Sequence, residues 1–163
     1  MAKAKKAAEG EDVILNICRN RRAKHDYELS DAIECGIVLV GTEVKSLREG
    51  HAQLDEAYAK IEDGELWLVG CEIPEYSFGN RLNHLPKRQR KLLLHKREIK
   101  KLETHGDQRG HTLVPLQLYF KNGRAKVEVA VGRGKQSYDK RQSLKKSEAK
   151  REIDRAMAKK RRN

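Results

Sequence analysis

The residues best suited to chemistry fall in one run, Gly132-Arg133-Gly134-Lys135-Gln136-Ser137-Tyr138-Asp139-Lys140-Arg141. Tyr138 is a lone aromatic among cations, and such a ring can stack on a nucleobase while the cations hold phosphates. Gly132 and Gly134 are permissive at φ > 0 and would let the chain turn there. The plainer reading of this run is a loop leading into a basic tail. A second candidate is Glu34, close to Gly36 in a strand-like stretch. A glycine there suggests a bulge or a close backbone approach. A carboxylate beside it can accept hydrogen bonds from a base edge, and an ordinary exposed glutamate is the alternative. His25-Asp26 could supply acid–base groups. As neighbours in an extended segment they would point to opposite faces, and no phosphate loop, metal signature or nucleophile motif accompanies them.

The charge lies where the first of these residues lie. The chain has 163 residues and a formal net charge of +12 at pH 7. Residues 133–163 hold thirteen Lys or Arg against four Asp or Glu, so the first 132 residues keep an excess of only three. That asymmetry points to a polyanion met by the tail, with nucleic acid ahead of a membrane surface, which would ask for a broad apolar face as well. Cys18, Cys35 and Cys71 are odd in number and widely spaced, which suggests neither disulfides nor zinc and fits a reducing compartment. No secretory apolar region and no run of membrane-spanning length occurs, so a soluble cytoplasmic protein without a cofactor is expected.

The elements that must position these groups are mostly strands. Residues 1–12 are small and charged and are expected to be disordered. Residues 13–24 read as an extended lead-in whose cations, Arg19, Arg21, Arg22 and Lys24, either contact phosphate or form a solvated surface run. Tyr27 to Leu29 and Ala32 to Val40 read as strand, with Ile33, Cys35, Ile37 and Leu39 on one face. Thr42 to Glu49 reads as a short helix with Thr42 as N-cap, Gly50 at C′, and Val44 and Leu47 inward. Ala57, Ala59 and Ile61 lead to an Asp63-Gly64 hairpin turn and a return strand with Trp67 at a barrel end. Glu75 to Leu85 reads as a polar loop. Leu92, Ile99 and Leu102 recur at helical spacing in a cationic segment, with Leu93 off that stripe. Val114, Leu116, Leu118 and Phe120 alternate towards an Asn122-Gly123 turn, and Ala125, Val127, Val129 and Val131 return. Pro115 places the first of these strands at an edge or a bulge. About six short strands and two helices predict a mainly β protein, an OB-like antiparallel barrel over residues 13–132. Residues 133–163 form a basic C-terminal tail with a thin apolar stripe of Leu144, Ile153 and Met157. It is expected to be disordered when free and helical when laid along RNA.

Four stretches carry a further signal: Asn20-Arg21-Arg22-Ala23-Lys24-His25-Asp26-Tyr27, Gly41-Thr42-Glu43-Val44-Lys45-Ser46-Leu47-Arg48, Arg90-Lys91-Leu92-Leu93-Leu94-His95, and Gly134-Lys135 with Tyr138-Asp139-Lys140-Arg141. Together, and in this order, they resemble the SsrA-binding (small protein B) family of bacterial trans-translation. The resemblance implies binding to the tRNA-like domain of transfer-messenger RNA and delivery of that RNA, with elongation factor Tu, to stalled ribosomes. It implies RNA-holding roles for Asn20, Glu34 and Leu93, with His25 and Lys45 in neighbouring motifs. It also implies that Gly134, Lys135, Tyr138, Asp139, Lys140 and Arg141 meet the ribosomal decoding centre, that the tail enters the empty messenger channel as a helix, and that Met157 acts there. Three departures stand out: Gln136-Ser137 inside the tail motif, Cys35 where alanine is usual, and His95 where asparagine is usual. Two other function classes remain at this stage, a structural ribosomal protein with a barrel and a basic extension, and an RNA-acting enzyme.

Overall fold

Two turns set the register of the chain. Asp63-Gly64 and Asn122-Gly123 both hold positive φ at each central residue, the geometry that matches the twist of a two-residue hairpin. The computed structural model describes residues 12–106 and 108–160, without the side chains of residues 137–143, 147 and 158–160. The expected disordered leader, residues 1–12, lies outside the described residues except for Asp12. In chain order the elements are β1 (Ile14–Arg19), α1 (Ala23–Asp26), β2 (Tyr27–Ile37), α2 (Gly41–Arg48), β3 (Tyr58–Glu62), β4 (Glu65–Val69), β5 (Arg90–Leu93), α3 (Lys96–Gly106), β6 (His111–Lys121), β7 (Arg124–Gly134) and α4 (Ser137–Lys160).

The sheet is antiparallel throughout and closes on itself. Strands β6, β3, β4, β5, β2 and β7 follow one another, β7 pairs back to β6, and β1 joins the far edge of β6. The result is the mainly β barrel expected, with seven strands where about six were foreseen. The lead-in is strand β1, and Leu92 belongs to β5 and not to the helix. The helical stripe that remains, Ile99 and Leu102 on α3, is buried as expected. Core-facing residues include Cys35, Leu66, Leu68, Leu92, Leu118, Val127 and Val129, all fully buried. Each such leucine or valine contributes about 1.5–3 kcal/mol by leaving water.

Two bulges shift the expected alternation. In β2 the register slips between Ser30 and Ile33, and Asp31 sits at φ 48°. In β6 it slips between Pro115 and Gln117. Before that slip Leu113 faces the core, opposite Ala59 and Val131, and after it Leu118 and Phe120 do. Val114 and Leu116, expected inward, therefore lie outside the core cluster. Pro115 does sit at a bulge, but its strand is central and not an edge. Trp67, expected at a barrel end, stands mid-strand between Lys60 and Lys91. The segment read as a polar loop exposes Phe78, Leu82 and Leu85.

Helix α2 begins one residue earlier than predicted, and its N-cap is Val40, not Thr42. The Glu43 side chain reaches back to accept from the Val40 N–H at 2.9 Å. Gly50 follows at φ 82°, the left-handed residue a helix end favours. Gly132 and Gly134 do not use their freedom at positive φ; both are paired within β7. Gly132 is required by space, since a Cβ there would lie 2.9 Å from Val114 Cγ2 and 3.2 Å from Tyr27.

Candidate nucleic-acid interface

Counting outward-facing positions across β5, β2, β7 and β6 brings one row together: Leu93, Gly36, Lys126 and Tyr119. Glu34 lies two residues along β2 from Gly36. The missing side chain at Gly36 lets β5 in close, for a Cβ there would stand 3.2 Å from Leu93 Cβ. Leu93 is 52% exposed at the edge of this charged row. Glu34 is not a bare carboxylate. Its Oε2 accepts a 2.6 Å hydrogen bond from the Tyr119 hydroxyl, and Lys126 and Lys121 stand 3.4 Å and 3.6 Å away. The Tyr119 bond, aided by the two lysines and opposed by partial burial, holds the Glu34 carboxyl below its usual range. Tyr119 is itself buried, and burial followed by the Glu34 charge pushes its hydroxyl up. At neutral pH this gives a fixed anion with lone pairs to spare beside an exposed apolar side chain. Such a pair can accept from a base edge and support the base's flat face.

Asn20 and His25 lie elsewhere, at the end of the barrel where β1 passes into α1. The Asn20 side chain is buried and fully engaged within the protein. Its Nδ2 donates to the Leu54 and Pro115 carbonyls at 3.3 Å and 3.2 Å, and its Oδ1 accepts from the Ala23 N–H at 3.1 Å. His25 and Asp26 fall in α1 and not in an extended segment. Their side chains meet at 2.8 Å, contrary to the opposite faces expected of strand neighbours. Among the described residues no hydroxyl or thiol hydrogen-bonds to the His25 ring. Burial pushes the thiols of Cys18 and Cys35 up to about 12 and that of Cys71 to about 11, so none is a ready nucleophile.

Lys45 occupies a third place, on α2, where its Nζ lies 5.4 Å from the centre of the Tyr76 ring, a cation–π distance. The frame behind it is a buried ion cluster. Glu43 and Arg90 are both fully buried. Arg88 gives Glu43 two hydrogen bonds of 2.6 and 2.7 Å, and Arg90 gives it one of 2.8 Å. Arg90 also donates to the carbonyls of Cys71, Pro86 and Arg88. This cluster ties α2 to β5 and so fixes Lys45 relative to Leu93.

The tail leaves the barrel pinned at its root. Lys135 donates its N–H to Asp26 O at 2.9 Å and its Nζ to Lys24 O at 2.8 Å. Gly134 pairs with Tyr27 at the end of β7. Tyr138, Asp139, Lys140 and Arg141 lie on the backbone of α4, with side chains outside the described residues. The helical backbone of α4 is the conformation expected of the tail when bound. Leu144, Ile153 and Met157 on it are all exposed. No helix among the described residues is long and apolar enough to cross a membrane.

Sequence reasoning missed Tyr119, Lys121 and Lys126 as partners of Glu34, and Arg90 as a core residue. The Asn122-Gly123 turn held the signal for the first set. It places Lys121 opposite Arg124, and so Tyr119 opposite Lys126, by counting alone.

A closed antiparallel barrel with a charged patch on its wall and a basic helix at its end defines the class: a small β-barrel protein with a cationic helical extension. Residues 17–159 match the model of the SmpB protein family. The chain belongs to that family. It is 53% identical over 161 residues to the SsrA-binding protein of Thermobifida fusca (strain YX), covering 99% of this chain and all of the relative. The SsrA-binding protein of Corynebacterium jeikeium (strain K411) is 59% identical over 141 residues, 86% of this chain and 77% of its own length. A solved chain described as "tmRNA-SmpB: a journey to the center of the bacterial ribosome" superposes with a TM-score of 0.63 at 49% identity, covering 74% of this chain and 85% of that one.

Proposed function

We propose that this chain binds the tRNA-like domain of transfer-messenger RNA through its barrel and delivers that RNA to stalled ribosomes for rescue. The relatives are named for binding SsrA RNA, and the solved neighbour is described with transfer-messenger RNA and the ribosome. The observation that carries the reading here is the wall patch. Glu34 and Leu93, far apart in sequence, stand together across Gly36, and Tyr119 and two lysines orient the carboxylate. Glu34 accepts from a base edge, Leu93 supports the same nucleotide, and Lys45 and His25 add contacts from α2 and α1. Gly134, Lys135, Tyr138, Asp139, Lys140 and Arg141 meet the vacant decoding centre, and Met157 acts further along the messenger channel. The tail lies on that surface as a helix, the backbone conformation of α4. The role is that of a cytoplasmic adaptor without catalysis, acting beside elongation factor Tu on the alanylated RNA.

A gel shift with the isolated tRNA-like domain tests the binding half, with full-length tRNA as competitor. Retention of the complex under tRNA excess supports the reading, and equal displacement by any tRNA refutes it. Glu34→Ala at fixed salt weakens binding by about 1–3 kcal/mol, the cost of a lost base contact; an unchanged Kd removes Glu34 from the site. Deleting Lys140–Asn163 leaves RNA binding largely intact and abolishes rescue in a stalled-ribosome assay. Loss of RNA binding by that truncation would put the specific contacts in the tail.

A further inference from the structure

Several cations of the barrel wall and α3 face carboxylates: Lys60 meets Glu62 at 2.7 Å, Lys101 meets Asp31 at 3.0 Å, Lys91 meets Glu65, and Lys121 and Lys126 share Glu34, while others such as Arg124 and Arg133 on β7 stand alone among the described residues. The end where β1 enters α1 gathers four of the second kind. Arg19, Arg21, Arg22 and Lys24 are exposed, and none forms an ion pair among the described residues. Arg19, Arg21 and Lys24 line a cavity of about 590 Å³, within the size range of small-ligand pockets, together with Asn20, Gln117 and Glu128. Glu128, in the same lining, takes a 2.8 Å hydrogen bond from Gln117, Asp26 is held by His25, and Asp55 and Glu56 line the neighbouring cavities with Arg22. Lys135, at the root of the tail, is tied to the Lys24 carbonyl on the same end.

This end has a built foundation. Asn20 sends no side-chain bond outward; all three of its bonds go to main-chain groups of Ala23, Leu54 and Pro115. Its own N–H donates to Leu116 O at 2.8 Å. The side chain thus bolts the start of α1 to β6 and to the loop before β3, and fixes where Arg21 and Lys24 stand.

We propose that Arg19, Arg21 and Lys24 form a phosphate-docking collar for the backbone of the bound RNA, and that Asn20 is a positioning residue that serves it from inside. This rests on the RNA-binding reading above and changes the role of Asn20 within it, from a contact to a support. Unpaired cations around a cleft attract a polyanion without any ion pair having to break first, and each phosphate they neutralise releases counterions. The wall patch then selects the nucleotide, and the collar supplies affinity that depends on salt and not on sequence.

The test is a salt titration of binding between the full-length protein and the fluorescently labelled tRNA-like domain. In the variant Arg19→Ala/Arg21→Ala/Lys24→Ala, the plot of log K against log salt loses about two to three units of steepness, close to one per phosphate contact. The variant Arg19→Lys/Arg21→Lys keeps the parental slope. All three side chains are exposed, so melting stays that of the parent. Asn20→Ala weakens binding of the parent by about fivefold, the size of one lost hydrogen bond, and has no such effect in the triple variant, the mark of coupled residues. A slope unmoved by the triple variant overturns the collar. An equal cost of Asn20→Ala in both backgrounds overturns the positioning role. Failure of the unaltered protein to bind this RNA at all overturns the underlying function, and is told apart by the parental titration itself.

Discussion

Replacing Glu43 by glutamine tests whether the buried ion cluster holds the frame of the interface. The carboxylate is fully buried and accepts four hydrogen bonds: from the Val40 N–H, twice from Arg88, and from Arg90 Nε. Arg88 is partly exposed and can turn to water, but Arg90 cannot. Glu43→Gln keeps the shape and one acceptor oxygen while leaving the Arg90 charge unmatched. Breaking a buried pair from one side costs about 3–5 kcal/mol, and the retained oxygen sets the expectation near the low end, about 3 kcal/mol. For a chain of this size that is a fall in Tm of roughly 6–12 °C. Urea unfolding gives the same loss as a shift in midpoint at unchanged slope. The pH dependence adds a signature. Burial alone would raise the Glu43 carboxyl, but the Arg88 bonds, the Val40 amide and the Arg90 charge outweigh it and lower the value. A lowered folded value makes the stabilisation complete above the unfolded pKa of about 4.3, and it drains as pH falls through the folded one. The gap between parent and variant is therefore widest at neutral pH and narrows on acidification. A loss below about 1 kcal/mol at pH 7, or a gap that widens in acid, would refute the argument, because a charge of this burial cannot go unmatched so cheaply.

Two other substitutions probe the wall. Tyr119→Phe removes the 2.6 Å bond to Glu34; the half-exposed acceptor limits the loss of stability to about 1–2 kcal/mol, while affinity for the tRNA-like domain falls, and unchanged affinity would show that Glu34 needs no orienting. Gly132→Ala sets a Cβ 2.9 Å from Val114 Cγ2 and destabilises by about 1–3 kcal/mol as overpacking does; an unshifted thermal melt would mean that the strand yields freely there.

The hairpins were legible in the sequence because Asp63-Gly64 and Asn122-Gly123 encode both a turn and a register. Strand β5 was not, because Arg90 occupies a core-facing position in a strand of only four residues. A cation inside the barrel defeats any pattern built on apolar alternation, and it is made tolerable by the charge of Glu43, 47 residues away, with the carbonyls of Cys71, Pro86 and Arg88. Strand β1 was obscured by a bulge between Asn16 and Cys18, which breaks its period of two. The site was legible one residue at a time. Glu34 stood out beside Gly36 and Leu93 by lying off the helical stripe, resemblance gave both a role, and their adjacency needed the pairing of β2 with β5. The internal bonds of Asn20 could not be foreseen, since its partners are main-chain carbonyls 34 and 95 residues away.

Closure of the barrel has one further outcome. Strand β1 has a single partner strand, β6, and no strand lies along its other flank among the described residues. The neighbouring side chains of Val13, Ile14 and Leu15 are all more than half exposed. A greasy, half-satisfied border of this kind invites a second chain to zip alongside. Concentrated stocks should clump along this border first.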